Sequence, residues 1–65
     1  MIKTAIRCPS NMVIVFDEMG EQIPKYQGQY EEVKESILKD APPNVVFRYL
    51  LNYEVNLKSV PREEW

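Results

Sequence analysis

Two rhythms of apolar and polar positions divide this chain. From Ile2 to Cys8 the residues alternate: Ile2, Thr4, Ile6 and Cys8 fall on one side, and Lys3, Ala5 and Arg7 on the other. A period of two is that of a half-buried strand. Pro9, Ser10 and Asn11 follow as turn formers. Met12 to Phe16 is a second strand, but apolar on both sides. Asp17 to Gly20 is a turn, and Glu21-Gln22-Ile23 can return as a short third strand before Pro24 stops the ladder.

From about Gln29 to Asp40 the period becomes that of a helix. Tyr30, Val33, Ile37 and Ala41 form a stripe that Leu38 widens, with Tyr26 one turn upstream. Glu31, Glu32 and Glu35 stand toward its start and Lys39 near its end, as the helix dipole favours. Pro42 and Pro43 end it, because neither can donate to the helix. Val45 to about Val55 is a last long strand, and Val45, Phe47, Tyr49, Leu51, Tyr53 and Val55 share a face. Val46 and Leu50 lie on the other face with Arg48 between them. Asn56 to Lys58 reads as a loop, and Ser59 as the cap of a final turn through Pro61 to Trp65.

The pattern predicts one small α+β domain over residues 1–65. Its order is strand, strand, an optional short strand, helix, strand: a mostly antiparallel sheet of three to four strands with one helix on one face. Apolar strand surface exceeds what that helix can cover. A strand apolar on both faces is suited to burial on both faces. The second cover is therefore expected from another chain. Val13, Val15, Val46, Arg48, Leu50 and Trp65 are the expected interface. Ile14, Phe16, Val33, Ile37, Leu38, Phe47 and Leu51 are the expected core under the helix. Periodicity does not say which strand face the helix takes, so the two sets are interchangeable at this stage.

Size strengthens the expectation of a homo-oligomer. A chain of 65 residues has a marginal core, which small proteins supplement with disulfides, metals, association or unusually good packing. Cys8 is the single cysteine and there is no histidine, so an internal disulfide is impossible and a structural zinc site lacks soft ligands. A net charge of −2 with scattered basic residues gives nucleic acid little to hold. A nucleic-acid-binding regulator acting as a dimer is the alternative reading. No apolar run reaches the roughly 18 residues of a membrane span, nor the roughly 7–15 of a signal-peptide core. A cytoplasmic location is expected, with a free thiol suited to a reducing compartment.

Chemistry-bearing residues are few. Cys8 lacks a histidine to serve as its base, and a buried structural thiol is the expectation. Asp17, Glu18 and Glu21 lack the spacing of a calcium loop and read as turn residues. Gly20 and Gly28 belong to no phosphate-binding motif. Tyr26, Tyr30, Tyr49 and Tyr53 suit half-buried or interfacial positions, and Trp65 suits packing or anchoring. A non-enzymatic protein-interaction module without cofactor or metal is the resulting expectation, with a protein partner possible in addition to a second copy. A small enzyme assembled between subunits from tyrosine, Cys8 and carboxylates is the weaker competitor.

Overall fold

The computed structural model describes residues 1–50 and 57–65. These form strands β1 (Ile2–Arg7), β2 (Met12–Asp17) and β3 (Gly28–Gln29), helix α1 (Tyr30–Asp40), and strands β4 (Val46–Leu50) and β5 (Leu57–Val60). Short 3-10 turns stand at Pro24–Tyr26 and Arg62–Glu64. The α+β class is as the periodicity predicts. The sheet has five strands among the described residues, in the order β3-β2-β1-β4-β5. It is mixed: β1 and β4 run parallel, and the other neighbours antiparallel.

Both early turns form where the sequence places them. Asp17 accepts at its Oδ1 from the N–H groups of Met19 (2.9 Å) and Glu21 (3.0 Å), and Gly20 takes a φ of 80°. Asp holds its own turn by accepting from the following backbone, and Gly reaches positive φ without a Cβ clash. In the first turn Asn11 takes a φ of 65°, a region that asparagine tolerates better than most residues.

Three strand assignments change. Glu21 to Ile23 gives only a single bridge, Phe16 to Gln22, and the third strand is Gly28–Gln29 against Met12 and Val13. Pro24 opens a 3-10 turn there, which takes the chain out of the ladder. The expected loop around Asn56 to Lys58 is in part β5, whose Ser59 pairs with Arg48 and Lys58 with Tyr49. Lys and Ser have little strand preference of their own, and pairing with β4 overrides it. Ser59 thus lies in a strand and caps nothing; Pro61 precedes the final 3-10 turn without a side-chain cap. Leu51, Tyr53 and Val55, assigned from sequence to the last strand, lie outside the described residues.

Helix α1 begins after Gln29 and stops at Asp40, within a residue of the predicted bounds. Its ends are satisfied from a distance. The Tyr30 N–H donates to the Asn11 carbonyl at 2.8 Å. At the other end the Arg62 guanidinium donates to the carbonyls of Leu38 (3.4 Å), Ala41 (3.3 Å) and Pro42 (2.7 Å). Helix ends leave such groups without partners inside the helix, and a fork of donors near the C-terminus suits the dipole as well.

The core lies between α1 and one face of the sheet. Ala5, Val13, Val15 and Ile37 have no exposed surface, and Ile2, Tyr26, Tyr30, Val45, Phe47 and Trp65 are buried with them. Register fixes the face: Ala5 pairs with Val15 and Arg7 with Val13 on β2, while Ala5 stands beside Phe47 on β4. This reverses the face expected of β2. Val13 and Val15 point under the helix, and the bulkier Ile14 and Phe16 point away. Small side chains under α1 let the helix approach the sheet. The split expected of β4 is the one found, with Phe47 buried and Val46, Arg48 and Leu50 on the far side.

Tyr26, from the 3-10 turn, is buried and donates its hydroxyl to Asp40 Oδ2 at 2.5 Å. It thereby ties the connection before α1 to the helix's last residue. That hydrogen bond, then burial, raises the Tyr26 phenol above its ordinary value of 10.0. The folded chain thus holds a proton that the unfolded chain releases first. The stabilisation is complete below pH 10 and is lost as pH rises through the raised value. Denaturant midpoints of the wild type are expected to fall more steeply than those of Tyr26→Phe as pH rises above about 10. Parallel slopes for the two proteins would show that this bond does not form.

Candidate interaction surface

The sheet face away from α1 carries a row of apolar side chains outside the core. Pairing puts Ile6 beside Ile14 and Arg48, and Thr4 beside Phe16 and Val46. Leu50 continues the row on β4, Met12 stands at the end of β2, and Ser59 stands opposite Arg48 on β5. Ile6, Ile14, Phe16, Val46 and Leu50 are all half-buried, and Met12 is 38% exposed. None of them packs against the core.

The extent of this face can be judged from strand geometry. Strands of six, six, two, five and four residues, at about 3.4 Å per residue and about 4.8 Å spacing, cover roughly 375 Å² in projection. Thr4, Arg48 and Ser59 share that area with the apolar side chains.

Of the six residues expected at an interface, three lie on this face: Val46, Arg48 and Leu50. Val13 and Val15 do not, having no surface to offer. Trp65 is also inside, 3% exposed. Ile6, Ile14, Phe16 and Met12 take the places of the valines. The signal for them was present in the unbroken apolar run of β2, but its assignment to faces needed the position of α1.

Trp65 is held by a second cluster, at the helix-side end of the sheet. Its ring packs edge-on to Tyr30 at 5.4 Å and tilted against Phe47 at 5.0 Å. Its indole N–H donates to the Arg48 carbonyl at 3.1 Å. Its main-chain oxygen accepts from Arg7 (3.0 Å), the Tyr30 hydroxyl (2.9 Å) and the Tyr49 hydroxyl (3.1 Å). The Arg7 guanidinium lies 3.6 Å from the Tyr30 ring centroid and donates through Nε to Asn11 Oδ1 at 2.9 Å. Asn11 in turn donates to Glu31 at 2.8 Å. One cation therefore links the first turn, the start of α1, β4 and the final 3-10 turn. Sequence reading gave Arg7 no role, because its partners are more than forty residues away along the chain for Tyr49 and Trp65.

Cys8 is half-buried, and burial raises its thiol above the ordinary value of 9.0, so it is held in the protonated, less nucleophilic form. Among the described residues no cluster of His, Cys, Asp or Glu could hold a metal ion, and no ligand-sized cleft opens. No described helix is long and apolar enough to cross a membrane. No protein-family model, curated protein or solved structure matches this chain.

Proposed function

We propose that this chain is a non-enzymatic interaction module that associates with a second copy of itself through the sheet face opposite α1. The observation behind the reading is the row Ile6, Ile14, Phe16, Val46 and Leu50, apolar and outside the core. Two such faces would cover roughly 750 Å² in projection, the size of a weak or transient contact. Sheets stack in this way about 10 Å apart, with side chains of the two inner faces interdigitating. A two-fold arrangement uses the same patch on both partners, so one apolar face suffices. Arg48 is the cation that β4 brings to the face, and one or two scattered cations favour a protein surface over a phosphate backbone as its cover.

Sedimentation velocity at about 1–100 μM, spanning affinities common for interfaces of this size, is the direct test. The wild type is expected to sediment as a dimer at the upper concentrations. Ile14→Lys is expected to sediment as a monomer with its thermal transition retained, because Ile14 is no part of the core. A wild type that stays a single monomeric species throughout would overturn the reading.

A further inference from the structure

Arg48 is the charged side chain that β4 places on this face, level with Ile6 and Ile14. Ile6 flanks it on β1, Ser59 on β5, and Val46 and Leu50 precede and follow it along β4. Its Nε has no accessible surface and no hydrogen-bond partner among the described residues. No ion pair to it is formed there either. The neighbours that share its face, Thr4, Ile6, Ile14, Phe16, Val46, Leu50 and Ser59, include no carboxylate.

A guanidinium remains charged at any ordinary pH. Covered by a second apolar sheet and left unpaired, it would oppose the very association proposed above. The stacked pair is self-consistent only if the covering surface brings an acceptor. Among the described residues Asp17 is taken up by its own turn, where its Oδ1 accepts from Met19 and Glu21, and the other acids fall into two groups. Glu31, Glu32, Glu35 and Asp40 belong to α1, and Glu63 and Glu64 to the turn that packs with it, all in the layer behind the sheet. Glu18 and Glu21 instead stand at the turn that ends β2, and both are exposed, with the Met1 amino group 3.6 Å from Glu18 Oε2. In an isologous contact, residue i of one copy meets residue j of the other and j meets i. Arg48 against the turn acids satisfies that rule twice per dimer, whereas Arg48 against Arg48 sets like charges together.

We infer that the second copy covers the open face with a carboxylate from its turn at Glu18 and Glu21 set against Arg48, so that this pair fixes the register of the two sheets. The inference rests on the reading that the face self-associates. Charge-assisted pairs of this kind are strong where water is excluded, and mismatched ones select against other registers.

Dimer dissociation constants from sedimentation equilibrium decide it. Arg48→Glu is expected to weaken association at least about a hundredfold. Adding Glu18→Lys and Glu21→Lys to that chain is expected to restore at least about tenfold, because the reversed charges pair again. Arg48→Met, which keeps the apolar stem without charge, tests the same point in a variant with little reason to misfold. It is expected to weaken association at least about tenfold. A wild type that dimerises while Arg48→Met dimerises equally well or better would overturn the inference and leave the self-association reading standing. Failure of the triple variant to recover any affinity over Arg48→Glu would remove Glu18 and Glu21 as the source. A monomeric wild type would remove both readings together.

Discussion

Trp65→Ala is expected to lose about 3–5 kcal/mol of folding free energy, the range for emptying a buried Trp site. The ring is 3% exposed and fills the space between Tyr30 and Phe47. Its removal also leaves the Arg48 carbonyl without the indole donor 3.1 Å away. A carbonyl that stays out of reach of water then adds a desolvation cost of about 1–3 kcal/mol at most. The contacts of Arg7, Tyr30 and Tyr49 to the Trp65 main-chain oxygen survive the substitution in principle, so the loss reports the ring itself. At about 0.05–0.15 kcal/mol per residue, a chain of 65 residues has roughly 3–10 kcal/mol in total. The variant is therefore expected to be largely unfolded at 25 °C or close to it. Urea unfolding followed by far-ultraviolet circular dichroism measures this without relying on the missing fluorophore. A loss below about 1 kcal/mol would mean that the ring spends its time outside the slot.

Ile37→Ala comes next, with an expected loss of about 2–5 kcal/mol. Ile37 has no exposed surface and is the largest fully buried side chain among the described residues. It is the contact of α1 with the small-residue floor of Ala5, Val13 and Val15. That floor belongs to the central strands β1 and β2 and cannot rise to fill the space. Alanine is the better helix former, but by less than about 1 kcal/mol, so packing wins over propensity. Ile37→Val isolates the packing contribution and is expected to lose about 0.5–1.5 kcal/mol. Both variants need comparison with the wild type at one protein concentration, since association of the folded state would add a concentration-dependent increment to every stability. If Ile37→Ala costs no more than Ile37→Val, the helix does not lie on this face.

Periodicity located the helix to within a residue because a stripe at Tyr30, Val33 and Ile37 has no reading as a strand, and Pro42-Pro43 leaves no other stop. Alternation located β1, and a short apolar run between turn formers located β2. It failed for β5, since Leu57 to Val60 owes its extended form to β4 and not to its own residues. It also gave β2 the wrong inner face. A period of two divides a strand into two sets and names neither as inner; in β2 both sets are apolar, so only the register against β1 and the seat of α1 distinguish them. The candidate surface was legible in outline, as an excess of apolar strand over helical cover. Its membership was not, and only Val46, Arg48 and Leu50 of the expected residues lie on it.

What the sequence by itself determined is the inventory: two early strands and their turns, and one helix with its ends. These are local properties, set by spacing, by Pro and Gly, and by side-chain chemistry within a few residues. Tertiary structure alone decided which valines went under the helix, that β1 lies parallel to β4, and that Arg7, Arg62 and Trp65 close the fold at its ends. Those outcomes depend on contacts between residues twenty to sixty apart, where the competing packings differ in free energy and not in pattern.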